Sequence, residues 1–186
     1  MASYPRRRGP WVTTSSREVY RNPWITVRED QVLRPDGNPG IYGVIEFTPA
    51  VGVVPLSDDG LVYLVGQYRY PTDCYSWEIT TGYADAGEAL LEAAARELRE
   101  ETGLAAQRWT PLGRCQISNS VTDQFGYLFL AQGLSLGQAL PDATEDLAVK
   151  TVPLAKALEM AQSGEIEQAF SLVGLYRAWV HLHPPA

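Results

Sequence analysis

Residues Gly82 to Leu104 read GYADAGEALLEAAARELREETGL. Five residues separate Gly82 from Glu88 and seven separate Glu88 from Arg96, after which Arg96-Glu97-Leu98-Arg99-Glu100-Glu101-Thr102-Gly103-Leu104 runs without a break. The stretch parses as loop, helix and stop. From Ala86 to Thr102 nearly every residue favours helix, and Asp85 with Glu88 is a variant of the capping box. Acids near the start suit the positive end of the helix dipole. Gly103 stands where a left-handed residue closes a helix. Leu91, Ala94, Ala95 and Leu98 recur at helical spacing and predict the stripe that packs on a sheet.

Glu97 and Glu101 are four residues apart, so their carboxylates share one face, and Glu100 borders that face. Like charges placed this way repel, and an isolated helix would avoid them. A hard divalent cation reverses the sign, because Mg²⁺ takes carboxylate oxygens together with water and a polyphosphate. Arg96 follows Glu92 by four residues and Glu88 by eight, a spacing for ion pairs that orient the carboxylates. One such glutamate is an ordinary surface residue. The whole array behind a glycine loop points to metal-dependent catalysis.

The rest of the chain bounds the setting. Its 186 residues suit one domain with some extension, and 45% apolar with 20% charged residues is a globular composition. A net charge of −7 argues against nucleic acid or an anionic membrane as the main partner. It leaves room for a phosphorylated substrate bridged to the acids by metal. Cys74 and Cys115 are far apart and outside any CxxC spacing, which predicts a reducing, cytoplasmic setting. No apolar run approaches membrane-spanning length. Arg6-Arg7-Arg8 lies among prolines and a glycine with no apolar stretch beside it, so residues 1–17 read as a flexible tail.

Extended segments at Trp24–Leu33 and Ile41–Thr48 flank the turn chemistry of Arg34–Gly40, making residues 18–48 a small antiparallel β unit. Residues 49–186 form the main domain. Val51–Leu56 and Leu61–Val65 around Ser57-Asp58-Asp59-Gly60 read as a hairpin. Strands are expected at Gly113–Ile117, Tyr127–Ala131 and Leu147–Val152. A helix opens at Pro153, with Leu154, Ala157, Leu158 and Ala161 on one face, and closes at Gly164. A second covers Phe170–Leu182. Strands mixed with three helices predict a layered α/β sandwich with a mixed sheet.

The Gly82–Leu104 segment resembles the Nudix box, with every position filled. Gln67-Tyr68-Arg69-Tyr70-Pro71, Trp77-Glu78-Ile79 and Glu145-Asp146-Leu147 resemble the ADP-ribose pyrophosphatase branch of that superfamily. The resemblance implies a Nudix-type α/β/α sandwich and a Mg²⁺- or Mn²⁺-dependent pyrophosphohydrolase of nucleoside diphosphate sugars, ADP-ribose first. It implies metal binding by Glu97, Glu100, Glu101 and the backbone carbonyl of Thr81, with Arg96 and Glu100 supporting catalysis. Glu145 takes the place of the catalytic base, and only resemblance selects it over Asp142 and Asp146. Arg69 is implied as the phosphate contact, Glu78 as a hydrogen-bond partner of ribose or base, and Tyr68, Tyr70 and Trp77 as stacking candidates. A homodimer built through residues 18–48 follows from the same likeness. Two departures stand out: Thr80-Thr81 replaces Pro-Ala, which leaves the Thr81 carbonyl able to serve a metal, and Ser118-Asn119-Ser120 replaces Ser-Pro-Gly. The proline of that run marks ADP-ribose preference, so hydrolysis stands while the choice of sugar is weakened. The alternatives are a dinucleoside polyphosphate or nucleoside triphosphate hydrolase, or a non-catalytic nucleotide-binding module. His181 and His183, the only histidines, read as part of the chain end.

Overall fold

The computed structural model describes residues 4–137 and 146–184. The chain divides into two compact units, residues 1–47 with 116–124, and residues 48–115 with 125–186.

In the first unit, β1 (Arg6–Arg8), β2 (Trp11–Arg21), β3 (Thr26–Leu33) and β4 (Pro39–Glu46) form an antiparallel sheet in that order. Residues 6–17 are therefore strands where the sequence suggested a flexible tail. The reason is non-local: Trp11-Val12-Thr13-Thr14 has β-branched character, and Val12 and Thr13 find partners in Leu33 and Val32. Thr13 and Val32 are buried as a result. The segment 116–124 joins this unit, with the Ile45 N–H donating to Val121 O at 2.8 Å and the Tyr42 hydroxyl to Ser120 O at 3.0 Å.

The second unit holds β5 (Ala50–Pro55), β6 (Leu61–Arg69), β7 (Cys74–Glu78), β8 (Thr80–Tyr83), β9 (Leu104–Gln116), β10 (Phe125–Leu136) and β11 (Ala148–Pro153). Its helices are α1 (Leu90–Thr102), α2 (Leu154–Ser163) and α3 (Ala169–Leu182). One sheet runs β8-β5-β10-β9 and the other β11-β6-β7. Strand β5 pairs parallel with β10 and antiparallel with β8, so the expected layered α/β architecture with a mixed sheet is present.

Alternation along β5 and β10 positions the helices. Val51, Val53, Phe129 and Ala131 cluster with Ala93, Ala94 and Leu98 of α1. Val54, Leu128 and Leu130 turn the other way, into the core with α2, α3 and β6. A strand covered on both sides reads as a continuous apolar run. That explains a correction. Ser57–Gly60 does form a turn, with the Gly60 N–H donating to Ser57 O at 3.0 Å, and Leu56 bridges Val62. Beyond that bridge β5 and β6 part into different sheets, each an inner strand with two neighbours of its own.

Two boundaries and two buried faces also differ from the sequence reading. Helix α1 starts at Leu90 with no side-chain cap, because Gly87 at φ +86° interrupts helical backbone. Its buried face is Ala93, Ala94, Leu98 and Glu101, while Leu91 is 44% exposed and Ala95 is also exposed. Strand β9 begins directly after Gly103, far ahead of Gly113. In α2 the buried set is Leu154, Ala157, Leu158 and Met160, with Ala161 only half-buried. No helix among the described residues is long and apolar enough to cross a membrane.

Candidate active site

The chain passes from β7 through Ile79 into β8, carrying Glu78 and then Thr80-Thr81-Gly82 from one sheet to the other. Helix α1 lies against this run. A Cβ on Gly82 would overlap the Glu97 carboxylate, so only glycine lets the helix come this close. One turn on, Glu101 is 5% exposed and accepts a hydrogen bond from the Thr81 N–H at 3.3 Å. Gly103, at φ +71°, ends the helix by donating its N–H to Arg99 O.

Arg96 is the hub of the cluster. Its Nη1 donates to Glu97 Oε1 at 2.8 Å and to Glu100 Oε2 at 3.0 Å. Nε and Nη2 reach the two oxygens of Glu88, each at 3.0 Å, and Nη2 also reaches Tyr83 O at 2.8 Å. The partners are thus Glu88, Glu97 and Glu100 rather than Glu92. Glu88 also accepts from the Asp85 N–H at 2.9 Å, which is one half of a capping box set ahead of a helix that begins later.

The electrostatics follow from these contacts. Hydrogen bonding to Glu88 holds the Arg96 guanidinium even further above the usual range, with Glu97 and Glu100 adding to it. Arg96, then the Asp85 N–H, holds the Glu88 carboxyl below its ordinary value. Burial pushes the Glu97 carboxyl up, and Arg96 opposes that shift.

Among the described residues no three acidic, histidine or cysteine side chains gather closely enough to hold an ion by themselves. One nitrogen of Arg96 bridges Glu97 and Glu100. The donor chemistry nonetheless fits a hard divalent cation, because the groups that Glu97, Glu100, Glu101 and the Thr81 carbonyl offer are oxygens only.

A second ion pair stands beside the cluster. Arg69 Nε donates to Glu78 Oε1 at 2.9 Å and Nη2 to Oε2 at 2.5 Å. The Glu78 side chain is 2% exposed and that of Arg69 is 35% exposed. Glu78 chiefly raises the Arg69 pKa, with smaller contributions from Glu101 and Tyr83. Both Glu78 oxygens face Arg69, and the side chain is buried beneath it. No local spacing signals this pair, which arises from two strands that meet only in the folded sheet.

The other candidates divide clearly. Tyr70 is almost fully exposed and Tyr68 is exposed beside Asp73. Trp77 is a packing residue, edge-on to Tyr75 and under Lys150, whose Nζ sits 4.0 Å from the ring centroid. His183 stacks on Trp179. Asp146 is exposed, whereas Asp142 and Glu145 lie outside the described residues.

Comparison with known proteins identifies the family. Residues 11–45 match the family model described as the nucleoside diphosphate sugar hydrolase N-terminal domain, and residues 46–171 match the NUDIX domain. An ADP-ribose pyrophosphatase of Mycobacterium tuberculosis is 34% identical over 168 residues, 88% of this chain and 80% of that one. The ADP-ribose pyrophosphatase of Bacillus subtilis is 29% identical, covering 84% of this chain and 86% of its own. A crystal structure of an ADP compounds hydrolase superimposes with a TM-score of 0.78 at 26% identity, covering 92% of this chain and 95% of the other.

Proposed function

The chain belongs to the Nudix family, and on that premise we propose that it cleaves the diphosphate of a nucleoside diphosphate sugar, with ADP-ribose as first substrate. The products are a nucleoside monophosphate and a sugar phosphate. The observation that carries this reading is the close seating of α1 on β8, which sets Glu97 against Gly82 and Glu101 against the Thr81 N–H.

Glu97, Glu100, Glu101 and the Thr81 carbonyl would hold Mg²⁺ or Mn²⁺, which supplies charge neutralisation for the diphosphate and acidity for an attacking water. Arg96 keeps the carboxylates in place through its fork of hydrogen bonds. Arg69 binds the diphosphate by directed N–H groups. Glu145 accepts the proton of the attacking water. The protein works in the cytoplasm as a homodimer. The first unit supports assembly, with Tyr20 54% and Ile41 65% exposed on its strands and Trp24 77% exposed in the turn between β2 and β3, apolar groups that a second copy would cover.

The test is release of monophosphate from a panel of nucleotide sugars, with and without Mg²⁺ or Mn²⁺. Turnover should need metal and be highest with ADP-ribose. No turnover of any member by folded protein, with measurable nucleotide affinity, would replace the enzyme reading by a binding module. A second reading is hydrolysis of dinucleoside polyphosphates by the same residues, since the box acts on phosphates and metal alone. Competition between ADP-ribose and diadenosine polyphosphate at equal concentration separates the two.

A further inference from the structure

Glu78 is a buried carboxylate with a single visible task. It is 2% exposed, and both its oxygens face one guanidinium, that of Arg69. A carboxylate withdrawn from water is costly unless it is paired and fully hydrogen-bonded. The bidentate fork supplies that pairing and also fixes the plane of the guanidinium. With Nε and one Nη2 proton turned to Glu78, the Nη1 group and the second Nη2 proton point the opposite way. Arg69 keeps 35% of its side chain exposed. It lies within electrostatic reach of Glu101, and Glu78 is three residues from Thr81 on the run that meets Glu101.

We propose that Glu78 is a positioning residue, whose buried carboxylate locks the Arg69 guanidinium so that its opposite end is presented to the oxygens of the substrate's diphosphate. This rests on the reading of Arg69 as the diphosphate contact. Glu78 offsets much of the Arg69 charge, so the pair contributes direction more than net attraction. The consequence runs against simple electrostatics. Removing the negative charge of Glu78 makes the site more positive, yet it should weaken binding of an anion.

The experiment uses the full-length protein, ADP-ribose and Mg²⁺, with folding of each variant checked by circular dichroism. Glu78→Gln should raise KM about tenfold or more while kcat changes little, since uniform binding is lost. Arg69→Ala should do the same, and the double variant should be no worse than Arg69→Ala, because interacting residues are not additive. An unchanged or lowered KM in Glu78→Gln, or effects that multiply in the double variant, overturns the proposal. If Glu78→Gln does not fold, Arg69→Lys carries the test: it keeps the charge without the fork, and a wild-type KM there overturns the proposal. If the wild type hydrolyses no nucleotide sugar, the functional reading fails separately. Calorimetric affinity for magnesium pyrophosphate then decides the pairing. Weaker binding in Glu78→Gln supports it, and equal, tighter or no wild-type binding overturns it.

Discussion

The carboxylate of Glu97 fills the space that a side chain on Gly82 would need, so the β8 backbone and helix α1 touch through a glycine. This contact ties the loop end of the box to its helix. It places a largely buried carboxylate directly beside the backbone of Gly82.

Gly82→Ala should push Glu97 out of position. Displacing a ligand-bearing group of this kind costs on the order of 10–100-fold in metal affinity or activity. Steady-state kinetics across a Mg²⁺ titration check it, and wild-type metal dependence would show that Glu97 tolerates the shift.

Glu101→Gln retains an oxygen for the Thr81 N–H but removes the charge. The expected result is a kcat lower by on the order of 10²-fold with the fold preserved. A thermal melt beside the rate measurement separates the two effects. Full activity would remove Glu101 from the metal-binding set.

Arg96→Lys replaces a fork that serves Glu88, Glu97, Glu100 and Tyr83 O by a single ammonium. Loss of charged hydrogen bonds should cost about 1–3 kcal/mol of stability, with lower activity. The pH dependence adds a sign. Glu88 has its folded pKa lowered, chiefly by Arg96. Its stabilisation is therefore present above the ordinary carboxylate value and is lost as pH falls through the folded value. Melts taken from about pH 6 down to about pH 3 should show a smaller acid-side loss in Arg96→Lys. Equal losses in the two proteins would detach Glu88 from Arg96.

Glu145→Gln should slow the chemical step and largely spare metal affinity, whereas Asp142→Asn and Asp146→Asn should do neither. Single-turnover rates with a parallel Mg²⁺ titration distinguish the three. If a neighbour is the crippled variant, the base moves there.

Deleting residues 1–45 removes all of β1, β2 and β3 and most of β4. It should abolish both dimerisation and activity while leaving Glu97, Glu100 and Glu101 in place. Light scattering of the full-length protein at micromolar concentration is the companion measurement. A fully active monomer would exclude the assembly proposed for the first unit.

What the sequence determined by itself was local. The box helix, its left-handed stop at Gly103 and the shared face of Glu97 and Glu101 follow from a helical repeat over neighbouring residues. The mixed α/β class, β10, β11, α2 and α3 were legible for the same reason. Tertiary structure decided what depends on surfaces that are distant in the chain. Residues 6–17 became strands because Val12 and Thr13 found Leu33 and Val32. The Ser57–Gly60 turn joined two sheets instead of a hairpin because β5 and β6 each required neighbours on both sides. Arg96 turned from Glu92 to Glu88 and Tyr83 O, which the fold of the glycine loop brings beside it, and Glu78 was committed to Arg69 because a buried carboxylate needs a partner. Spacing places a residue on a face, and only packing decides what that face meets.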